Sequence, residues 1–317
     1  MTTMVRVDLG KYVVMSVWFG CNNDCLICML GAMKRRLPAI DCDTFRRVTT
    51  AIAHEGRFRG LILSGGEVTT CDELDRFVRF AASLGWFRRI QIQTNGRRLC
   101  DKSYLQHLIA CGVNEFFVSI HVLEAVHDAV TGIPGSFQET MGGFSCLEEF
   151  PVNVISNTVL TRSNLQDIPG LMRVLSRGRT SEMQVWSYFP MERTDSMNLI
   201  VSLSDLRELL SEVHPLAKAA RKPLVLKSFP ECLPVEPPVC VDNLFPTTVL
   251  PDPFWRQFNE NGFGWCRYRD ACASRTCWGL SSAYVGKYGD ARHLLTPLRL
   301  PPSGDAAGAG PAETGCA

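Results

Sequence analysis

The chain has 317 residues, is 46% hydrophobic and 21% charged, and carries a formal net charge of +1. That length allows one large domain or a medium domain with a small appendage, and the balanced charge argues against nucleic acid or an anionic membrane held through bulk electrostatics. No apolar run reaches the roughly 18 to 20 residues of a membrane helix, and the start "MTTMVRVDLGKYVV" lacks a secretory apolar core, so the expected location is the cytoplasm. There the fourteen cysteines are not expected to form a disulfide framework, and some of them are expected to be metal ligands.

From residue 12 to 189, apolar runs of strand length alternate with stretches of helical period, the pattern of repeated β-α units on a parallel sheet. The first strand, "YVVMSVWF" over 12–19, runs straight into Cys21, Cys25 and Cys28. A helix over 42–56 leads to "GLILSG" over 60–65, which ends in Gly65, Gly66 and Glu67. A helix over 71–85 leads to "RIQIQT" over 89–94, followed by Asn95, and a helix over 101–112 leads to "EFFVSI" over 115–120, with Ser119 and His121 at its end. A helix pair over 122–148 precedes "VNVISNTVL" over 152–160, which carries Asn157. A helix over 164–178 precedes "EMQVWSYF" over 182–189, with Gln184, Trp186 and Tyr188, and a helix over 202–220 closes the series. Several of these helices open on Asp, Asn or Ser and close on Gly. Six such units predict an α/β fold, an open or partial barrel over residues 1–220. Its ligand is expected at the carboxyl ends of the strands, where the unusual residues gather.

After residue 221 proline becomes frequent and the alternation stops, which predicts a small cysteine-rich module over 221–300 in place of a seventh unit. Residues 301–317 are Gly, Ala and Pro with little to form a core, and are expected to be disordered.

Three thiols in one loop are one short of a structural zinc site. A [4Fe-4S] cluster held by three thiolates keeps one iron open for a substrate or cofactor. The C-x3-C-x2-C spacing of Cys21, Cys25 and Cys28 after a first strand, with "GGE" after the second, resembles the radical S-adenosylmethionine (radical SAM) superfamily. The resemblance implies a partial (β/α)6 barrel of the radical SAM type, with a [4Fe-4S] cluster on those cysteines and S-adenosylmethionine on the fourth iron. It also implies reductive cleavage to a 5′-deoxyadenosyl radical, fed by an external electron donor of the flavodoxin or ferredoxin type. By position, Gly65 and Gly66 would let the backbone approach the methionyl amino group, with Glu67 as a nearby acceptor or source of local order. Asn95, Ser119 and Asn157 would contact the ribose and carboxylate, and Gln184, Trp186 and Tyr188 are weaker adenine candidates. The residue before the third cysteine is Ile27 where the superfamily usually has an aromatic. His121 reads as a helix-start or polar-core residue ahead of a proton-transfer group.

Cys232, Cys240, Cys266, Cys272 and Cys277 form a second group, and with "CWGL" and its following tyrosines they resemble the SPASM and twitch extensions of that superfamily. The resemblance implies one auxiliary [4Fe-4S] cluster on Cys266, Cys272 and Cys277, completed by Cys232 or Cys240. The spacing departs from the usual C-x2-C pair, and a structural zinc site is the alternative. The expected activity is that of a radical SAM oxidoreductase or maturase acting on a peptide or a small molecule. The roughly eleven residues before the first strand leave no room for a peptide-recognition domain, which favours a small molecule or a separately delivered peptide. A molybdenum-cofactor type of nucleotide rearrangement is disfavoured by an ending in "TGCA" without a Gly-Gly tail, and a non-catalytic iron–sulfur or zinc protein is the third alternative.

Overall fold

The computed structural model describes residues 9–299 apart from Pro234. The expected disordered segment, 301–317, lies outside the described residues. Six parallel strands stand where the sequence pattern puts them: β1 (Tyr12–Trp18), β2 (Gly60–Gly65), β3 (Arg89–Thr94), β4 (Glu115–Ser119), β5 (Asn153–Leu160) and β6 (Glu182–Ser187). Between and after them lie α1 (Cys42–Glu55), α2 (Leu74–Ser83), α3 (Lys102–Cys111), α4 (Glu124–Thr131), α5 (Ser136–Leu147), α6 (Ile168–Arg177) and α7 (Leu203–Ala220). The polar helix starts act as read: Asp41 accepts from Thr44 N, Asp101 from Ser103 N and Tyr104 N, and Ser202 from Asp205 N. Among the described residues, no helix is long and apolar enough to cross a membrane.

The expectation that the sheet stops at six strands is corrected. A seventh strand, β7 (Leu224–Lys227), follows α7 and pairs in parallel with β6, and β8 (Val239–Val241) pairs with β7. The ninth, β9 (Thr247–Val249), pairs with β1 at the opposite edge, giving the order β8-β7-β6-β5-β4-β3-β2-β1-β9. These strands are three or four residues long and set among prolines, too short to show a period in sequence. Two further helices, α8 (Asp252–Glu260) and α9 (Ser282–Tyr288), complete the C-terminal part.

One connection fixes the curvature. A flat sheet of nine strands would hold its edges about 38 Å apart, at about 4.8 Å per step. Only residues 242–246 join β8 to β9, and a chain that short spans at most about 22 Å. The sheet must therefore curl until its two edges approach each other.

The outer face packs on the helices: Met15, Val17, Leu61, Leu63, Ile92, Phe116 and Val118 are fully or almost fully buried, with Phe45 stacked on Phe77 at 4.5 Å beyond them. The inner face is different. Near the amino ends of the strands, Tyr12, Val14 and Ile62 make a separate small cluster beside Glu115. The buried Glu115 carboxylate accepts from Tyr12 Oη (2.9 Å), Gln91 Nε2 (2.7 Å) and Asn153 Nδ2 (2.6 Å), which closes that end. Toward the carboxyl ends, Ser16, Ser64, Gln93, Ser119, Asn157 and Trp186 are only partly buried, so the barrel opens there.

Candidate functional site

The cysteine loop leaves β1 at this open end and is held by its backbone. Asp24 N and Leu26 N donate to Thr131 O and Val130 O, both at 2.9 Å, in the last turn of α4. Arg97, just past β3, donates through Nη1 to Asn22 O (2.6 Å) and Asn23 Oδ1 (2.8 Å), while its Nε reaches Glu139 on α5 at 2.5 Å. Lys34 Nζ reaches Asn23 O (3.2 Å) and Asp24 Oδ1 (3.1 Å), and Asn95 Nδ2 reaches Asn22 Oδ1 (2.7 Å). Cys21 is exposed, and Cys25 and Cys28 are partly buried. Burial raises the Cys21 thiol, and burial followed by the neighbouring Cys28 and Cys21 thiols pushes Cys25 up to about 12. Thiols this close resist ionising together, and a bound metal that displaces their protons removes that conflict. The donor set fits a three-thiolate group.

Gly65 and Gly66 serve the same loop. Gly65 has φ +139°, and a Cβ on it would lie 1.9 Å from Trp18 O; one on Gly66 would lie 2.3 Å from Gly20 O. The strand ends are thus in backbone contact, sealed by Gly66 N to Trp18 O (2.7 Å) and Glu67 N to Gly20 O (2.8 Å). Glu67 is buried and its carboxylate accepts from Asn95 N (2.6 Å), Thr94 Oγ1 (2.7 Å), Thr69 Oγ1 (2.6 Å) and Thr69 N (3.1 Å). Burial raises its pKa and these four donors oppose the rise. In the protein alone, Glu67 is an ordering residue that ties β2, β3 and the cysteine loop together.

Ser119 and Asn157 are direct register partners on β4 and β5, on the open part of the inner face. Among the described residues, Asn157 Oδ1 is buried without a hydrogen-bond partner. Gln184 is committed elsewhere, donating to Glu182 Oε1 (2.6 Å) and accepting from Trp186 Nε1 (2.9 Å). Tyr188 is buried. His121 Nδ1 accepts from Val159 N (3.3 Å), and His127 Nδ1 accepts from His121 N (3.2 Å). Burial lowers their pKa values to about 3 and about 4, so both stay neutral and act as polar core. Sequence reasoning missed Arg97, because an arginine after a turn looks solvated.

The second cysteine group comes together only in part. Cys232, Cys266, Cys272 and Cys277 line one cavity of about 130 Å³ with Glu231, Ser274, Arg269 and Arg275. Burial, followed by Cys277, Cys266 and Cys272, pushes Cys232 up to about 11. Cys240 is not among the cavity's lining residues; it is buried on β8 in register with Val225. Among the described residues, no three His, Cys, Asp or Glu side chains converge on a single-ion site. A line of aromatic contacts runs from the barrel mouth to the residue after Cys277: Phe117 to Trp186 (6.4 Å), Trp186 to Phe245 (5.3 Å), and Phe245 to Trp278 (4.4 Å). A separate cavity of about 360 Å³, lined by Leu147, Val154, Leu175 and Thr180, opens at the amino ends of the strands, away from all these groups.

A family model described as the Radical SAM superfamily matches residues 15–175. An "AdoMet-dependent heme synthase" from Methanosarcina barkeri is 29% identical over 223 residues, covering 69% of this chain and 62% of that protein. A "Pre-heme d1 synthase" from Dinoroseobacter shibae is 27% identical over 161 residues, covering 49% of this chain and 37% of that protein. The chain therefore spans less than two thirds of the length of these curated relatives. Among solved structures, SuiB of Streptococcus suis bound to its precursor peptide SuiA superposes with a TM-score of 0.57 at 17% identity, covering 74% of this chain and 49% of that one. That likeness is one of fold.

Proposed function

The chain belongs to the radical SAM superfamily, and on that premise we propose that it is a two-cluster enzyme acting on a small-molecule substrate. Cys21, Cys25 and Cys28 would hold a [4Fe-4S] cluster, and Gly65, Gly66, Glu67, Asn95, Ser119 and Asn157 would frame S-adenosylmethionine beside it. The observation that carries the reading is that three thiols on a clamped loop, the Gly65–Gly66 turn packed against that loop's backbone and the buried Asn157 Oδ1, unpartnered among the described residues, share one open strand-end rim. Bound there, the cluster and cofactor would supply reductive cleavage of the sulfonium and hydrogen abstraction from substrate. The protein's own work is positioning. Arg97, Lys34 and the end of α4 fix the loop, and Glu67 locks β2 and β3 against it. Asn157 and Ser119 offer an acceptor and a hydroxyl to the bound molecule.

The C-terminal part, from about residue 221 onward, would add an auxiliary cluster on Cys232, Cys266, Cys272 and Cys277, with Cys240 left out. Four thiols around one cavity, with room for more than one atom, favour a cluster over zinc. The electron donor would be a flavodoxin or ferredoxin type protein.

The names of the two relatives put a tetrapyrrole, planar and carboxylate-bearing, first among small molecules to test. The partly buried Trp186, Phe245 and Trp278 offer flat aromatic surface along the mouth. A peptide substrate is the second reading, favoured by the fold shared with SuiB, whose structure holds a peptide. The test is anaerobic reconstitution followed by measurement of 5′-deoxyadenosine with S-adenosylmethionine and a chemical reductant. Formation by the wild type, its rise with a carboxylated porphyrin, and its loss in a Cys21→Ala, Cys25→Ala, Cys28→Ala variant are expected. A fully reconstituted wild type that forms none would revive the non-catalytic alternative.

A further inference from the structure

Glu231 stands immediately before Cys232, and its carboxylate bonds to two other segments of chain. Oε1 accepts from Thr276 Oγ1 (2.6 Å) and from Asn243 Nδ2 (3.3 Å), and Oε2 accepts from Ser274 Oγ (2.5 Å). Ser274 Oγ in turn accepts from Cys277 N at 3.1 Å. Asn243, between β8 and β9, also accepts from Ser228 N and donates to Phe229 O, both at 2.8 Å. A single carboxylate therefore joins the segment bearing Cys232, the crossing between the two sheet edges, and the loop bearing Cys272 and Cys277. Its charge lies on the wall of the thiol-lined cavity.

Resting on the two-cluster reading above, we infer that Glu231 is the positioning residue of the second site. It holds the 274–277 loop against Cys232, so that thiols far apart in sequence face one cavity, and it places a fixed negative charge beside them. Groups that bond to the loops and ligands around a metal site commonly alter metal affinity by about 10–100-fold when removed. A nearby negative charge also makes an anionic cluster harder to reduce.

The test uses the full chain with Cys21→Ala, Cys25→Ala and Cys28→Ala, so that bound iron belongs to the second site. Glu231→Ala and Glu231→Gln are added to it, and retained iron and sulfide, the cluster midpoint potential and thermal unfolding are measured. Expected are a loss of retained iron of about tenfold or more in Glu231→Ala, and near-full iron in Glu231→Gln at a more positive potential. Unchanged iron in both variants with an unmoved potential overturns the inference and leaves the two-cluster reading standing. Iron lost in Glu231→Ala but an unmoved potential in Glu231→Gln reduces Glu231 to a fold contact, which also overturns it. If Glu231→Ala does not fold, the potential of Glu231→Gln decides alone. If the chain with Glu231 intact takes up no iron, the two-cluster reading fails first and the inference falls with it.

Discussion

The first three thiols lie within the eight residues from Cys21 to Cys28, whereas Cys232 and Cys277 bound a stretch of 46. The first loop is shaped from outside by cationic side chains, Arg97 and Lys34, and by the last carbonyls of α4. The second group is gathered by an anionic one, Glu231, which ties its own segment to two others. A local site needs its loop to keep one shape; an assembled site needs the C-terminal fold to be complete. That difference predicts which perturbations each will survive.

The largest separation should come from removing thiols. With both clusters present the protein should hold about eight irons, and the triple alanine variant of the first loop about four, with all 5′-deoxyadenosine formation gone. A Cys232→Ala, Cys277→Ala variant should also fall to about four irons but keep cleaving S-adenosylmethionine while losing product. Equal loss of cleavage in both variants would erase the distinction between the two regions.

Next in size is Gly65→Ala, which drives a methyl group into Trp18 O at a backbone φ that disfavours a side chain. It should cost about 3 kcal/mol and strip the first site while sparing the second, measured by denaturant unfolding and iron retention. Arg97→Met removes charge-assisted bonds to Asn22 and Asn23 and should cost about 2 kcal/mol, with faster release of the first cluster to a chelator. Unaltered release would move the clamp to Lys34 and α4.

The last prediction concerns acid. His121 and His127 brace the strand ends and α4 as neutral rings, with pKa values near 3 and 4 against an ordinary 6.5. Below pH 6.5 the unfolded chain binds protons that the folded one refuses. Their contribution is therefore complete above pH 6.5 and declines as pH falls toward 4, by up to about 1.4 kcal/mol per pH unit for each histidine. The unfolding midpoint of wild type should drop through that window, and a flat profile would show that the rings are charged in the fold.

Much of the barrel was legible because its strands are apolar runs of five to eight residues between capped helices. The first site was legible because its ligands are neighbours in the chain. Arg97 and Glu231 were not, since each acts on residues more than forty positions away and neither stands in a pattern. Spacing likewise could not place Cys240 on β8, apart from the cavity lined by the other four thiols, because that strand is too short to announce itself.

The three residues of β9 shield the outer edge of β1, pairing Val13 with Thr247, Val14 with Thr248 and Met15 with Val249. During synthesis β1 emerges long before its cover. Until then the nascent protein carries an unpaired strand edge with three thiols hanging from its end, the kind of template that invites wrong partners. Barrel closure is the event that silences both hazards, and it cannot begin until residue 249 is free to reach back to β1.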